Sequence, residues 1–385
     1  MSPLIGTHVA SAVPVVSPGT KSHRLLPTGT PLTLLDTDGR AVPSVDLEMP
    51  GDDVLLALHR QMVLARRFDT QATALTKQGR LAVYPSAHGQ EAAEIGAVLA
   101  LRPQDWLFPT YRDSMAVVGR GVDPVEVLTL LRGDWHCGYD PYEYRVAPQC
   151  TPLATNALHA VGLAHAAKLK AEDTVALVML GDGATSEGDT HAALNFAAVW
   201  KSPVVFFVQN NGYAISVPLS KQTAAPSLAH KGIGYGVPAM LIDGNDAAAV
   251  YASVQCAVTS AARGGGPTLI EALTYRIEAH TNADDATRYR HQDEVERWLA
   301  RDPLARMRRH LITRGLLDQS AVASLDAEAE IEAAALRQRV KTDTAHDPAD
   351  LFRHVYAEQT PALRWQQREL AAELAVAADD AEEAQ

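Results

Sequence analysis

Two side chains invite chemistry. Asp182 stands between glycines in "GDG" (181–183), and Asn211 is the second of the paired asparagines that open "NNGYAIS" (210–216). A carboxylate and a carboxamide oxygen are hard donors suited to magnesium. Magnesium rarely takes a full cage from protein; one or two side chains, phosphate oxygens and water are its usual set. Gly181 and Gly183 let a diphosphate come close to the backbone. A helix starting near Ser186 would aim its amides and positive dipole end at that anion. Taken alone, "GDG" reads as a turn with a solvated acid. The dinucleotide-binding fingerprint competes but fails in detail, because Ser186 stands where its third glycine should fall. The phosphate-loop pattern with Lys-Ser/Thr is absent.

These residues need elements to hold them. "TVALVML" (174–180) is a continuous apolar run without alternation, the mark of a strand buried on both faces. "SEGDTHAALNFAAVW" (186–200) reads as a helix and "PVVFFVQ" (203–209) as a second buried strand. "AMLIDG" (239–244), a helix from Asp246 to Arg263, a "GGGP" turn and "TLIEALTY" (268–275) repeat the alternation. The pattern predicts an α/β fold with a doubly wound, mostly parallel sheet in three layers. Ligands of such sheets sit outside the carboxyl ends of the strands. Asp182 lies two residues past one end and Asn211 three past "VVFFV" (204–208), so both face one crevice if the strands are neighbours.

Around this centre, helices are expected over 52–79, 89–101 and 151–171. Residues 1–45, rich in Pro, Ser, Thr, Gly and Val, read as a partly disordered N-terminal arm. The α/β domain then spans 46–345, and 346–385 form a helical C-terminal extension with an acidic tail. The net charge of −12 disfavours nucleic acid and anionic membrane as partners. Three cysteines without C-x-x-C spacing argue against a disulfide framework or zinc site and for a reducing cytoplasm. No run approaches eighteen apolar residues, and the first 30 residues lack the features of a secretory or mitochondrial leader.

The order strand, GDG, helix, strand, Asn210-Asn211 resembles the thiamine diphosphate fingerprint, in which GDG and NN stand about thirty residues apart at strand ends. "FPTYRD" (108–113), "TPLATNALHAVGLA" (151–164), "NNGYAIS", "TYRIEAHTNADDATRYR" (274–290) and "LFRHVYAEQTPALRWQQREL" (351–370) extend the likeness. Over about residues 50–375 the chain resembles alpha subunits of the decarboxylating component of 2-oxo acid dehydrogenase complexes, of the branched-chain type; pyruvate dehydrogenase alpha subunits are close relatives.

The resemblance implies a site residue by residue. Asp182, the Asn211 side chain and the Tyr213 carbonyl would bind magnesium, with two diphosphate oxygens and a water. Tyr111 and Arg112 would contact the diphosphate, with Gly183 and Ala184 alongside it. Thr151 and Leu153 would line the middle and the aminopyrimidine end of thiamine diphosphate. Thr155 and Asn156 match positions that hold potassium in the family, with Asn where Gln is more common. His280 matches the histidine near the thiazolium, in a polar segment where a mobile active-site loop is expected, anchored by Arg276 and Tyr289. Thr281 and His291 stand where animal relatives carry regulatory phosphoserines, so kinase control of that type is not expected. Tyr84 and Ser86 are read either as bordering the substrate or as core and turn residues.

In two-subunit members of the family, the glutamate that activates the cofactor lies on a beta subunit. The resemblance therefore implies a heterotetramer of two alpha and two beta chains, serving a lipoylated acyltransferase. The implied reaction is oxidative decarboxylation of a branched 2-oxo acid with acyl transfer to lipoyl groups. Three rivals stand beside it: an alpha subunit for pyruvate or acetoin, a nucleotide-binding oxidoreductase, and a non-catalytic interaction subunit.

Overall fold

Five parallel strands form the central layer. In the computed structural model, which describes residues 25–134, 136–340, 347–353 and 355–383, they are β1 (Trp106–Phe108), β2 (Ala176–Gly181), β3 (Val204–Asn210), β6 (Ala239–Asp243) and β7 (Thr268–Leu273). A short hairpin of β4 (Tyr213–Ala214) and β5 (Val217–Pro218) follows β3. The sheet order is β1-β2-β3-β7-β6, with every pairing parallel.

The strands read as unbroken apolar runs because both faces are covered. Leu177, Met179, Val205, Phe207 and Ile270 enter one core, shared with helices Asp52–Lys77, Glu91–Leu99 and Ala247–Ala262. Ala176, Val178, Leu180, Val204, Phe206 and Val208 enter the other, against helices Thr155–Leu169 and Gly188–Trp200. This is the three-layer arrangement the alternation predicts. Phe206 and Phe207 are fully buried on opposite faces, and truncating either to alanine would cost about 3–5 kcal/mol.

The differences from expectation lie mostly at the site end of the sheet. The segment 151–171 becomes helical only at Thr155; before it, Ala154 takes a left-handed φ of 64°. The helix expected from Ser186 begins at Gly188, after a 3-10 turn over Gly183–Ser186. β2 runs to Gly181 and β3 to Asn210, so Asp182 and Asn211 are each the first residue beyond a strand. β1 was not anticipated, because three residues are too few to show a period.

Part of the expected N-terminal arm is sewn onto the sheet. Leu32 bridges Ile242 in parallel, and Leu34 and Leu35 are buried. Buried Asp246 caps helix Ala247–Ala262 through the backbone N–H groups of Ala248 and Ala249. Its other oxygen accepts from the Leu34 and Leu35 backbone N–H groups, at 2.7 Å each. Residues 1–24 lie outside the described residues.

Helices Gln292–Leu299, Pro303–Thr313 and Gln319–Arg339 make up the charged region beyond 290. Its arginine cluster is engaged internally: Arg306 with Asp243, Arg308 with Asp326, and Arg309 with the carbonyls of Thr37 and Asp38. The first compact unit ends at Val340. The second contains a short helix, Asp350–Arg353, and a long one, Pro361–Glu383. Among the described residues no helix is long and apolar enough to cross a membrane, and all three cysteines are free.

Candidate active site

Strand register assembles the site. Gly181 of β2 pairs with Gln209 of β3, and Asn210 pairs with Leu273 of β7. Asp182, Asn211 and the segment from Thr274 therefore leave neighbouring strand ends, while β1 delivers residues 109–113 to the same rim. Tyr111, Arg112, Leu153 and His280 line one pocket there with Asp182, Gly183, Ala184, Asn211 and Tyr213. Thr151 lies on the exposed turn beside Leu153, outside the lining. Thr155 and Asn156 do not line it either.

One wall is acidic and carbonyl-rich. Asp182 is buried and accepts from Gln222 Nε2 at 2.6 Å. Burial pushes its carboxyl above the usual carboxylate range, against the Gln222 hydrogen bond and the nearby Arg276 charge. Asn211 donates from Nδ2 to Gln90 Oε1 (3.1 Å) and receives the Tyr213 backbone N–H at Oδ1 (3.2 Å). The Tyr213 phenol is held by Glu294 at 2.9 Å. The two glycines divide their roles. A Cβ on Gly183 would meet Ala214 Cβ at 2.7 Å, whereas Gly181 has nothing within 4 Å of that position. Gly183 thus serves close packing against the hairpin, and Gly181 leaves the open approach.

The other wall is cationic. Buried Arg112 donates from Nη1 to the Ser86 carbonyl (2.8 Å) and from Nη2 to the His280 carbonyl and Nδ1, both at 3.0 Å. Arg276 is 2% exposed, and its Nη2 reaches the Ile215 carbonyl (3.2 Å) and the Tyr289 hydroxyl (3.4 Å). Its Nη1 meets no acceptor among the described residues. Burial and then the Arg112 charge lower the Arg276 pKa. His280 is pushed down to about 4 by burial, then by Arg112 and Arg276, with Asp284 opposing. Because Arg112 must donate to Nδ1, the neutral ring carries its proton on Nε2.

The segment read as a mobile loop carries a set of internal hydrogen bonds. The Asp284 carboxylate accepts from the His280 backbone N–H (2.8 Å) and from the Tyr289 hydroxyl. Arg290 donates to the carbonyls of Arg276, Ile277 and Glu278. Ile215, in the β4–β5 turn, takes a left-handed φ of 56°. For a β-branched residue that costs about 1–3 kcal/mol, and strain of this kind concentrates at functional sites.

A buried carboxylate faces two buried guanidinium groups whose partners are carbonyls, a phenol and an imidazole. Such a pocket calls for a cation beside Asp182 and a polyanion beside Arg112 and Arg276. A magnesium–diphosphate group satisfies both walls, so the residues present fit it. No group of three or more His, Cys, Asp or Glu that could hold a metal occurs among the described residues. The candidate ligands remain one carboxylate, one carboxamide and a carbonyl.

Other expectations resolve locally. Asn156 Nδ2 is committed to the carbonyls of Phe108 and Pro109 (3.3 Å each) and Met179 (2.9 Å), tying β1 to β2 and leaving only Oδ1 for an ion. Tyr84 and Ser86 are buried, both bonded to Asp69, and neither lines the pocket. Gln90, Asp113, Gln209 and Ile215 line the pocket although they are not among the residues expected from the sequence pattern, and Arg276, expected as a loop anchor, lines it too. Gln209 had a visible signal, a polar residue ending an apolar strand; Ile215 had none.

Comparison with known proteins identifies the family. Residues 59–349 match the family described as Dehydrogenase E1 component. The 3-methyl-2-oxobutanoate dehydrogenase subunit alpha of Mycobacterium tuberculosis is 47% identical over 348 residues, covering 90% of this chain and 94% of that one. Pyruvate dehydrogenase E1 component subunit alpha from Acholeplasma laidlawii is 35% identical over 337 residues (87% and 97% covered). Its counterpart from Staphylococcus aureus is 38% identical over 304 residues (78% and 82% covered). The matched span contains every candidate site residue from Tyr111 to His280, and the chain belongs to the dehydrogenase E1 component family.

Proposed function

We propose that this chain is the alpha subunit of a thiamine diphosphate-dependent 2-oxo acid dehydrogenase. Its substrates are branched-chain 2-oxo acids of the 3-methyl-2-oxobutanoate type, and the acyl group passes to lipoyl groups of a partner acyltransferase. The observation that carries the reading is that Asp182 and Asn211 line one pocket at the strand ends together with Arg112 and Arg276. Identity favours the branched substrate over pyruvate, at 47% against 35% and 38%.

Thiamine diphosphate, when bound, supplies the electron sink that lets carbon dioxide leave a 2-oxo acid. Asp182, Asn211 and the Tyr213 carbonyl hold Mg2+. Tyr111 and Arg112 orient the diphosphate, Arg276 adds charge, and Gly183 and Ala184 run beside it. Thr151 and Leu153 border the rest of the cofactor. His280, neutral with a proton on Nε2, offers a hydrogen-bond donor during acyl transfer. A potassium ion at Thr155 and Asn156 belongs to the same reading.

The subunit-alpha names of the relatives support a beta partner. We place the site in a heterotetramer of two alpha and two beta chains, working in the cytoplasm in branched-chain amino acid catabolism. The isolated chain should be inactive.

The test is carbon dioxide release by the chain co-expressed with its beta subunit, with thiamine diphosphate and Mg2+. Preference for 3-methyl-2-oxobutanoate over pyruvate is expected. Preference for pyruvate would keep the site and change the substrate. No cofactor-dependent release from either acid, with an assembled tetramer, would overturn the proposal.

A further inference from the structure

Behind Asn211, side chains that the proposed reaction does not use form a line across the pocket floor. Asn211 Nδ2 donates to Gln90 Oε1 (3.1 Å), Gln90 Nε2 to Gln209 Oε1 (2.9 Å), and Gln209 Nε2 to Asp113 Oδ1 (2.6 Å). All four residues are buried, so water does not stand in for a missing partner. Both ends are pinned by backbone N–H groups, donors that cannot reverse. The Tyr213 backbone N–H donates to Asn211 Oδ1 at 3.2 Å. The Thr110 backbone N–H (2.6 Å) and hydroxyl (2.7 Å) donate to Asp113 Oδ2.

Three donors thus converge on one carboxyl group. Burial pushes the Asp113 pKa up, opposed by the Thr110 and Gln209 donors and the Arg112 charge. Fully buried Glu94 is pushed well above the usual range by burial and then by Asp113 itself. With the Thr110 donors on Oδ2 and Gln209 on Oδ1, the Asp113 carboxyl acts as an acceptor at both oxygens. Every amide in the line must therefore turn its NH2 toward Asp113 and its oxygen away. The last oxygen in the line is Asn211 Oδ1.

We infer that Asp113, Gln209 and Gln90 are positioning residues that fix the direction of the Asn211 carboxamide, so that oxygen rather than NH2 is offered to magnesium. The inference rests on the proposed magnesium site at Asp182 and Asn211. A carboxamide turned the other way presents a donor to a cation and is lost as a ligand. Sequence spacing conceals the line, since its partners are 121, 119 and 96 residues apart.

The direction is open to inversion by an isosteric change. In Asp113→Asn the Thr110 N–H still requires an oxygen, so the new NH2 faces that of Gln209. Turning Gln209 relieves this contact, then Gln90 must turn, then Asn211, and the conflict passes to the Tyr213 N–H, whose 3.2 Å contact is the longer of the two pinning N–H bonds. Adding Gln209→Glu restores the original direction, because the carboxylate it introduces accepts both from the new amide at position 113 and from Gln90.

The experiment is calorimetric titration of thiamine diphosphate into the alpha–beta tetramer at a series of Mg2+ concentrations. Asp113→Asn should raise the Mg2+ requirement about 10- to 100-fold, the usual effect of losing an outer-shell partner. Asp113→Asn/Gln209→Glu should return it to the wild-type range. A general structural role would lower the thermal midpoint without this rescue. Asp113→Asn titrating like wild type, or a folded double variant no better than the single, would overturn the inference. Should Asp113→Asn fail to assemble, Gln90→Leu interrupts the line, removing the Asn211 acceptor together with the donor to Gln209. An unchanged Mg2+ requirement there overturns the inference, and a raised one supports it. Failure of the magnesium reading looks different: wild type itself would bind thiamine diphosphate without Mg2+ dependence.

Discussion

The rim of strand ends and the helical layer beyond residue 290 each bury an arginine, and the two live differently. Arg276 and Arg306 are both 2% exposed. Arg306 meets Asp243 at 2.9 Å, locking helix Pro303–Thr313 to the end of β6. Around it, His310 Nδ1 lies 2.9 Å from the Gly39 carbonyl, and Gly39 packs so closely that a Cβ would lie 2.6 Å from the Arg306 carbonyl. Arg276 has only a carbonyl and a phenol among the described residues, and a second arginine nearby lowers its pKa further. A region built for stability pairs its buried charges. A region built for binding holds charge that the fold alone leaves uncompensated, at some cost in stability.

That contrast can be broken by experiment. Arg306→Leu leaves Asp243 without its partner and should cost about 3 kcal/mol of folding free energy, near the low end for a buried pair because Asp243 is partly exposed. Denaturant unfolding measures it, and the folded variant should bind thiamine diphosphate normally. Asp182→Ala should weaken Mg2+-dependent cofactor binding by roughly a hundredfold or more, while the thermal midpoint without cofactor does not fall. Arg276→Leu should weaken cofactor binding about tenfold, or about 1.4 kcal/mol, again without loss of cofactor-free stability. Unfolding of this variant would show that Arg276 is a structural clamp like Arg306, and the comparison would fail.

The smallest effect concerns His280. Its folded pKa of about 4 lies below the ordinary 6.5. Between those values the unfolded chain binds a proton that the folded chain refuses, so this contribution to stability is lost as pH falls from 6.5 through 4. A diphosphate beside Arg112 and Arg276 offsets two of the charges that depress it. The His280 pKa, followed by NMR, should therefore rise when thiamine diphosphate and Mg2+ bind. A value indifferent to the cofactor would place the anion elsewhere.

Much of this molecule is legible in its sequence. β2, β3 and β7 announced themselves because strands covered on both faces need apolar residues at every position. Asp182 and Asn211 stood out because a glycine-flanked acid and paired asparagines each followed such a run. β1 escaped notice at three residues, and the first turn of helix Thr155–Leu169 was misplaced because Ala154 gives no hint of a left-handed backbone. The N-terminal stretch at 32–35 read as an arm because its partners, Ile242 and Asp246, lie more than 200 residues away.

Local pattern by itself determined the layers, the strand ends and the two hard donors, since periodicity and turn chemistry act over a few residues. Only the tertiary structure decided that Gly181 pairs with Gln209, that Arg276 is left with a carbonyl and a phenol, and that two glutamines link Asp113 to Asn211. Those outcomes depend on which distant groups share a buried, water-poor space. There a hydrogen bond or a charge takes its meaning from its neighbours in three dimensions.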